Sequence, residues 1–406
     1  MRNKIYLEKM IDLKGEVPIK VLSGLRGVGK STLLARFADY LRATGVPSWQ
    51  IIFIQFDQMQ YDNIRSYQDL YSYIYEKIQG LPHTYLLLDE IQRISEWEKA
   101  LNAFFVDMPV DIYLAGSHAG ILSEDFKRFF SGQYTELSIQ PVSFSEYLEA
   151  LPDAEEEDKD FLFPGYLKYG SLPVVMSLLD RTELLPLVLS GIYHTALMRD
   201  VVEKYAVRDP DLIDCMAKYL ASTVGLPVTA KRVHDYLAGV GRKTTGFTMD
   251  NYLQMLAESH LFHRVRRYDI KTKSELNGSE RFYAADIGLG NMLQGFQNLR
   301  DGAMLENAVC LELLRRGYTV YAGKIGTMEV SFVAIGPERR VYYQVVPSIQ
   351  EDAVRKRILR PLKSIPDQYE KVVLSLDRSG VRDYNGIRNL NIVDFLMEQR
   401  EKKLHD

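Results

Sequence analysis

Residues 19–34 of the chain have the sequence IKVLSGLRGVGKSTLL, an apolar run followed by a glycine-rich loop and a helical pattern. The loop matches G-x-x-x-x-G-K-[ST] from Gly24 to Ser31, between a predicted strand and a predicted helix. Its glycines allow backbone dihedrals that aim successive N–H groups at a bound phosphate, at the positive end of the following helix. The alternative is a glycine turn that ends in Lys-Ser by chance. The context of strand and helix favours a phosphate-binding loop.

Each residue of this loop has an expected role at a bound nucleotide. Lys30 is expected to reach the β- and γ-phosphate oxygens, and Ser31 is expected to coordinate Mg²⁺. The predicted cofactor-binding residues are Gly24, Leu25, Arg26, Gly27, Val28, Gly29, Lys30, Ser31 and Thr32.

Short apolar runs alternate with helical patterns from Ile19 to about Ala150. This alternation predicts a parallel sheet with helices on both faces. The strand order that we expect for it is 5-1-4-3-2. One of the runs, TYLLLDE, ends in Asp89 and Glu90. A buried strand rarely ends in two carboxylates unless its carboxyl end opens onto a site, the alternative being a surface turn. We expect Asp89 to hold the metal through water and Glu90 to act as general base.

A polar segment also follows the next predicted strand, VDIYLAGS. Ser117 is the candidate for orienting the attacking water or touching the γ-phosphate, with His118 as the second choice. The alternative is an ordinary polar strand terminus.

The second half of the chain differs in character from the first. The acidic run LPDAEEEDKD marks a predicted boundary near residue 155, and mainly helical sequence follows. Two amphipathic helices, VTAKRVHDYLAGVG and FTMDNYLQMLAESHLF, precede a predicted strand pair, which is the order of a winged helix. A third, α/β unit follows. The expected domains are 1–155, 156–300 and 301–406.

The net charge of the whole chain does not favour binding to nucleic acid. Its 50 basic and 54 acidic residues leave a net charge of −4, so DNA binding must depend on a local patch. The best local evidence is the basic cluster in the predicted wing, consisting of Arg264, Arg266, Arg267, Lys271 and Lys273. These charges could equally protect a solvated strand edge from pairing.

Other sequence features exclude several classes of protein. Cys215 and Cys310 lie in apolar helical surroundings and have no metal-ribbon or disulfide spacing, so we expect reduced, buried thiols. The first ten residues, MRNKIYLEKM, lack a signal-peptide pattern, and no uncharged stretch has the length of a membrane span. The expected location is cytoplasmic, without membrane association.

Several segments together carry a family resemblance that covers almost the whole chain. They are GLRGVGKSTLL, YLLLDEIQRISEWEKAL, YLAGSHAGILS, SIQPVSFSEYL, ENAVCLELLRRGYTVYAGK and EVSFVA. The chain thereby resembles the bacterial and archaeal AAA-type P-loop ATPases that carry a C-terminal domain of unknown function. The resemblance implies an AAA module that uses ATP and Mg²⁺, a winged-helix-like middle, and a C-terminal domain similar to restriction endonucleases.

The chain departs from this family at a position that bears on hydrolysis. Relatives usually have Gly-Arg-Tyr where this chain has Gly132, Gln133 and Tyr134. The arginine that could act on a neighbour's γ-phosphate is absent there. Arg128, one turn earlier, could replace it or could be an exposed structural residue. We expect hydrolysis to be slow or to need a protein partner, whether or not the chain forms a homo-oligomer.

The endonuclease-like part shows a second departure. Nucleases of this kind hold Mg²⁺ with acids on a helix and a strand and place a lysine on the next strand. Here the matching positions are Glu306, Ser331, Gln344 and Val346. Glu306 is expected in the first turn of a helix that begins near Met304, where an acid complements the helix dipole. We therefore expect a nuclease scaffold without nuclease chemistry.

Three classes of function remain open from the sequence. The first is an ATP-driven switch or remodeller, which requires only the nucleotide site. The second is a DNA-binding protein regulated by nucleotide, which requires a basic face. The third, an ATP-dependent nuclease, is disfavoured by the missing acid and lysine.

Overall fold

The chain forms two compact units. The computed structural model describes residues 4–116, 119–151, 159–297, 299–378 and 380–398. The first unit consists of Met1–Ile139 and a later segment, Met198–Ala206. The second unit consists of Gln140–Leu197 and Val207–Asp406. The chain therefore leaves the first unit, returns to it for one short segment and leaves it again.

The first unit contains a five-stranded parallel sheet. Its strands are β1 (Ile19–Ser23), β2 (Ile51–Gln55), β3 (Thr84–Asp89), β4 (Val110–Ala115) and β5 (Tyr134–Ser138). Its helices are α1 (Lys4–Asp12), α2 (Lys30–Ala43), α3 (Tyr67–Ile78), α4 (Trp97–Asp107) and α5 (Glu124–Phe129). The strand order is β2-β3-β4-β1-β5. The predicted order 5-1-4-3-2 is confirmed.

The sheet brings the polar ends of its strands to one edge. Strands β1 and β3 are buried along their whole length, as expected for central parallel strands covered on both faces. In the register of the sheet, Gln55 is opposite Asp89, and Asp89 is opposite Ala115. Because parallel strands end on the same side, Gln55 and Asp89 both lie at the edge where β1 runs into the glycine loop.

Helix α3 illustrates how the local sequence sets the helix boundaries. The Ser66 side chain accepts from the Asp69 N–H, and the Asp69 carboxylate accepts from the Ser66 N–H, which forms a capping box. Leu70, Ile74 and Ile78 then recur every four residues and are buried. One apolar stripe therefore attaches this helix to the core of the first unit.

The second unit is made of eleven helices and eight strands among its described residues. Its helices are α6 (Phe144–Glu149), α7 (Lys159–Tyr169), α8 (Pro173–Met176), α9 (Leu185–Thr195), α10 (Pro210–Ser222), α11 (Ala230–Gly239), α12 (Gly246–Glu258), α13 (Ile287–Leu293), α14 (Asp301–Arg315), α15 (Asp352–Lys363) and α16 (Ile392–Met397). Its strands are β6 (Pro227–Val228), β7 (Phe262–Asp269), β8 (Ser274–Ala284), β9 (Thr319–Ile325), β10 (Met328–Ile335), β11 (Arg340–Val345), β12 (Glu370–Ser375) and β13 (Ile387–Asn391). The π-helix Ala196–Glu203 follows α9.

The eight strands form one mixed sheet in the order β13-β12-β11-β10-β9-β7-β8-β6. The parallel pairing of β7 with β9, in which Arg267 lies opposite Ala322, joins strands from both sides of residue 300. The expected domains 156–300 and 301–406 thus contribute to one sheet, and the first stretch of the first unit ends at residue 139. The division into three domains, with a boundary near residue 155, stays a prediction.

Helix α14 begins earlier than the sequence predicted. It starts at Asp301, so Glu306 lies beyond the first turn, and the first-turn acid is Asp301. The expected interaction of Glu306 with the helix dipole was therefore wrong, because this effect is confined to the first turn. Among the described residues, no helix has both the length and the apolar character needed to cross a membrane.

Candidate active site

The predicted phosphate loop connects β1 to α2, and its shape requires glycine at two positions. Gly24 has a φ of 138°, and a Cβ on it would lie 2.5 Å from the carbonyl oxygen of Ile139. Gly29 has a φ of 104° and immediately precedes α2. Between them, the N–H of Val28 donates to the carbonyl oxygen of Leu25 at 3.2 Å. Other residues would be strained at these two glycines, so the loop holds a defined turn.

The side chain of Lys30, the first residue of α2, folds back over this loop. It is only 5% exposed, and Nζ donates to the carbonyl oxygens of Gly24 at 2.7 Å and Leu25 at 3.0 Å. Burial lowers the pKa of Lys30 to about 8, although the nearby charges of Glu90 and Asp200 oppose this shift. A buried ammonium whose hydrogen-bond partners among the described residues are carbonyl oxygens is chemically suited to an anion.

Asp89, the last residue of β3, carries an oxygen without a partner. It is 2% exposed, and its Oδ2 accepts from Nε2 of Gln55 at 3.2 Å. Its Oδ1 is buried and has no hydrogen-bond partner within the described residues. Burial raises the pKa of Asp89, while the nearby Ser31 hydroxyl and the hydrogen bond from Gln55 lower it. A buried carboxylate oxygen without a donor fits a hard cation or its water ligands.

Glu90 follows directly and turns the chain at the carboxyl end of β3. Its φ of 57° is in the left-handed region, which is strained for a residue other than glycine. Its N–H donates to the carbonyl oxygen of Ala115 at 2.8 Å. Its Oε2 accepts from Nε2 of Gln92 at 2.8 Å. The carboxylate is thus held beside Asp89 in a defined orientation.

An ion pair between Arg26 and Asp200 completes this part of the first unit. The Arg26 Nε and Nη2 donate to the two carboxylate oxygens of Asp200 at 3.2 and 3.0 Å. The Asp200 side chain is fully buried, and that of Arg26 is 25% exposed. Burial raises the pKa of Asp200 against the opposing effect of Arg26. Asp200 lies in the π-helix, in the segment 198–206 that returns to this unit.

The remaining loop residues differ in exposure. Leu25 and Val28 are buried, Ser31 is half-buried, and Thr32 is exposed. Gly27 has a φ of 81° with open space around it. The structure thus brings Lys30, Ser31, Asp89 and Glu90 to the same edge of the sheet, and their roles at a nucleotide stay predictions.

Two other groups of predicted residues have different outcomes. Ser117 and His118 lie outside the described residues, so their roles stay predictions. Gln133 is exposed. Arg128 is 73% exposed and pairs with Asp125 at 2.9 Å on its own helix. Arg128 therefore lies in a solvated i,i+3 pair.

Sequence comparison identifies the family of the chain. A family model described as an AAA domain matches residues 16–148, and a domain of unknown function, DUF8612, matches residues 160–300. A protein of Haemophilus influenzae, described as uncharacterized, is 32% identical over 395 residues, which are 97% of this chain and 98% of that protein. The chain belongs to the AAA-type P-loop ATPase family with a domain of unknown function.

One further relative and one solved structure are also similar to this AAA-type protein. The uncharacterized protein MJ1544 of Methanocaldococcus jannaschii is 25% identical over 399 residues, which are 95% of this chain and 83% of the relative. The Walker-type ATPase paby2304 of Pyrococcus abyssi superposes with a TM-score of 0.51 at 15% identity, over 72% of this chain and 95% of that protein. This likeness concerns the fold.

In the second unit of this AAA-type protein, the predicted endonuclease-like positions come together. The Ser331 hydroxyl contacts Oε1 of Glu306 at 2.9 Å and Oε1 of Gln344 at 3.0 Å. Tyr283 donates to the other Glu306 oxygen at 3.4 Å. Burial raises the pKa of Glu306, against the opposing charge of Arg281. The cluster thus has one carboxylate that is already occupied by protein donors.

The basic cluster of the predicted wing is largely neutralised. Arg264 pairs with Glu280, and Arg266 pairs with Glu275 at 3.1 Å. Arg267 donates to Oγ of Ser279 at 2.7 Å and lies 3.9 Å from a carboxylate oxygen of Glu329. The other two cations, Lys271 and Lys273, are exposed. The three arginines therefore hold strand edges together as well as carrying charge.

Sequence reasoning missed three polar side chains of the first unit. Gln55 lies within the predicted strand IIFIQFD and ends the observed strand β2, so a polar residue in an apolar run was a usable signal. Gln92 lies two residues after Glu90 in the motif itself. Asp200 had no local signal, because its partner Arg26 is 174 positions away.

Proposed function

We propose that the chain binds MgATP and hydrolyses it slowly, acting as a nucleotide-driven switch or remodeller. The observation that carries this proposal is the pairing of a buried ammonium, Lys30, with a buried carboxylate oxygen of Asp89 that lacks a donor among the described residues. One group suits a phosphate and the other suits the metal that accompanies it. Both lie in one unit, next to the amino end of α2.

The residues present fit Mg²⁺ by their donor chemistry. Ser31 and Asp89 would hold the ion, since hydroxyl and carboxylate oxygens are the ligands that it prefers. When bound, Mg²⁺ neutralises charge on the β- and γ-phosphate oxygens. The loop amides of residues 24–29 and the positive end of α2 would hold the phosphates.

Glu90 supplies the base for attack by water. It accepts a proton as the water oxygen bonds to the γ-phosphorus and the bond from that phosphorus to the ADP oxygen breaks. Gln92 keeps the carboxylate in place through the hydrogen bond at 2.8 Å. Ser117 stays our candidate for orienting the water.

Slow turnover and a partner are part of the same proposal. Gln133 offers an amide where a neighbouring chain of the family would offer an arginine. An amide cannot stabilise the charge on the transferring phosphoryl as a guanidinium can. We infer that basal turnover is low whether or not the chain forms a homo-oligomer, and that another protein raises the rate of the cycle.

The loop assignment is tested by isothermal calorimetry with MgATP. We expect Lys30→Ala to weaken binding by about 10- to 150-fold, since a hydrogen bond to a charged group contributes about 1.5–3 kcal/mol. The matched control is Lys231→Ala, which removes an exposed lysine from α11. Equal affinity of the native protein and Lys30→Ala would reject the assignment of the loop.

A second candidate function, nucleic-acid binding, is favoured by helix α15. Lys356, Arg357, Arg360 and Lys363 are exposed on this helix, and none of them forms an ion pair within the described residues. Lys356, Arg360 and Lys363 recur at intervals of four and three, so they lie on one face. Such a cationic stripe fits a row of backbone phosphates.

A cavity of about 430 Å³ beside this stripe is lined by Lys356, Arg357 and Arg360. Glu329 also lines it, but this carboxylate is paired with Arg281 at 2.7 Å. The positive charge of the helix therefore dominates the opening. This location differs from the wing that the sequence suggested.

The two candidate surfaces can be compared by fluorescence anisotropy with a labelled DNA duplex. We expect the triple variant Lys356→Ala, Arg360→Ala and Lys363→Ala to lower the salt dependence of binding by about one unit of slope per lost phosphate contact. The matched wing variant, Arg264→Ala with Arg266→Ala, should leave the slope unchanged. The reverse result would move the interface to the wing, and absence of binding would remove this candidate function. ATP hydrolysis with and without the duplex then separates a DNA-regulated cycle from a DNA-independent one.

A further inference from the structure

The Arg26–Asp200 pair leaves part of its guanidinium free. Asp200 engages the edge formed by Nε and Nη2, at 3.2 and 3.0 Å. The remaining nitrogen, Nη1, makes no hydrogen bond within the described residues, and the side chain keeps 25% exposure. A carboxylate on one edge fixes the orientation of a planar fork, while the other donors stay available.

The free donors lie in the phosphate loop itself, near the proposed base. Arg26 is two residues after Gly24, in the turn that Lys30 closes with its hydrogen bonds to Gly24 and Leu25. Burial lowers the pKa of Arg26, but the charges of Asp200 and Glu90 outweigh it and raise that pKa. The guanidinium is therefore within electrostatic range of Glu90.

The segment that supplies Asp200 has an uncommon backbone. It is a π-helix, Ala196–Glu203, and such segments are rare and often occur at functional sites. The Asp200 carboxylate in this segment is fully buried. Burying a charge is costly unless it is paired, so the pair must form for this segment to pack.

The geometry points to Arg26 as a catalytic arginine supplied by the same chain, which contacts the γ-phosphoryl group, and to Asp200 as the residue that positions it. This inference rests on the proposed ATP hydrolysis. Arg26 thereby supplies the site with an arginine from the same chain. At position 133, where relatives have an arginine that could act on a neighbouring chain, this chain has a glutamine. The arginine stabilises the charge that develops on the phosphoryl oxygens as the bond to ADP breaks.

An arginine in cis has a consequence that an arginine in trans does not. The rate per chain of the basal reaction is independent of protein concentration, because one chain contains the whole set of charges. An arginine contact of this kind contributes about 10³–10⁵ in rate. Removal of Arg26 is therefore expected to lower the rate more than removal of a surface arginine does.

The first test measures kcat and KM for MgATP hydrolysis by the full chain. Arg26→Lys keeps the charge but loses the fork, and we expect kcat to fall at least about tenfold while KM changes less than about threefold. Arg128→Lys is the matched control and should keep both values. Native kcat in Arg26→Lys would overturn the inference.

The second test removes the pair without leaving a buried charge. The double variant Arg26→Met with Asp200→Leu replaces both partners by apolar groups, a change that is often neutral or stabilising for a buried ion pair. We expect it to bind MgATP within about tenfold of the native affinity and to lose at least about 100-fold in kcat. Retention of kcat would show that the pair only stabilises the fold.

The positioning role of Asp200 needs a readout that stability alone does not move. We expect Asp200→Asn to lower kcat at least about tenfold with an unchanged KM, and Asp200→Glu to recover part of that loss. If both variants instead keep native kcat, or if both change KM alone, Asp200 does not position the arginine.

The outcomes for the two proposals are separable. Equal MgATP affinity of the native protein and Lys30→Ala rejects the nucleotide site and with it this inference. A native protein that hydrolyses ATP, loses turnover in Glu90→Gln, and keeps it in the Arg26 variants rejects only the inference. A rate per chain that rises with protein concentration also rejects the arginine in cis.

Discussion

Gln92 donates a hydrogen bond from Nε2 to Oε2 of Glu90 at 2.8 Å. Glu90 is the N-cap of a single turn of 3₁₀ helix, Ile91–Arg93, and Gln92 lies within that turn, so a short segment holds both partners. Gly116 leaves room for the amide, because a Cβ there would lie 2.6 Å from Oε1 of Gln92. The segments that follow β3 and β4 therefore both support the orientation of the Glu90 carboxylate.

We predict that Glu90→Gln keeps MgATP binding and suppresses turnover by about 10²–10⁴-fold, because an amide cannot accept the proton of water. Calorimetry and a phosphate-release assay measure the two properties separately. Glu96→Gln, on the exposed connection that follows, should behave like the native protein. Native turnover in Glu90→Gln would show that another group is the base.

We predict that Gln92→Ala lowers kcat by about tenfold and leaves KM within about threefold, since it removes the support of the base and no phosphate contact. Steady-state kinetics over a range of MgATP concentrations measures both values. Gln79→Ala, at an exposed glutamine that follows α3, is the control. A change in KM alone would place Gln92 at the nucleotide instead.

We predict that Glu306→Ala destabilises the second unit by about 1–3 kcal/mol and changes no nuclease activity, because Ser331 and Tyr283 lose an acceptor. Glu306→Gln should lose less, since an amide oxygen can still accept. Supercoiled, linear and branched DNA should stay intact with Mg²⁺ or Mn²⁺. Metal-dependent cleavage that disappears in Glu306→Ala would contradict this prediction and favour an ATP-dependent nuclease.

A buried ion pair in the first unit gives a stability prediction. Lys20 on β1 contacts Asp111 on β4, with both side chains nearly inaccessible to solvent. Asp111→Ala leaves the lysine unpaired and should cost about 3–5 kcal/mol, whereas Lys20→Met with Asp111→Leu should recover most of this loss. Urea unfolding followed by tryptophan fluorescence reports this unit selectively, because Trp49 and Trp97 are the two tryptophans of the chain. Equal stability of the single and double variants would contradict the pairing argument.

His263 on β7 predicts how the stability of the second unit depends on pH. Burial lowers its pKa to about 4, and its Nε2 has no hydrogen-bond partner within the described residues. The imidazole is therefore neutral in the folded state, and its contribution is present above the unfolded pKa of about 6.5 and is lost as pH falls toward 4. The loss is at most about 3 kcal/mol, and less where solvent reaches the ring.

Hydrogen exchange of the β7 backbone, measured between pH 7 and pH 4 and corrected for the intrinsic rates, tests this dependence. His263→Leu should flatten it by the equivalent of one proton. His234→Leu, at an exposed histidine on α11, should leave it unchanged. The same slope in the native protein and His263→Leu would assign the pH dependence to other groups.

The local parts of the site were predictable because the chemistry is contiguous in the sequence. Gly24, Gly29 and Lys30 act within one turn, so the motif alone specifies their backbone and contacts. The parallel sheet followed from the alternation of apolar runs and helices, although the alternation alone does not set the strand order. Asp89 and Glu90 were chosen as candidate site residues because a buried apolar strand rarely ends in two carboxylates unless its end opens onto a site.

Other parts depend on tertiary packing that no local pattern encodes. The start of α14 was missed because Arg300 at its N-cap provides no side-chain cap, so the boundary lacked a signal. The parallel pairing of β7 with β9 joins two stretches that looked like separate modules. The contact of Arg26 with Asp200 depends on how the chain returns to the first unit.

That return also sets an order of events during synthesis. The phosphate loop leaves the ribosome 174 residues before Asp200 does, an interval of about 9–35 s at about 5–20 residues per second. A nascent first unit therefore carries Arg26 without its partner until residues 198–206 have been made. A fragment ending near residue 155 never receives that partner. Its arginine would be free to turn into solvent, so the isolated fragment and the full chain are different molecules at the phosphate loop.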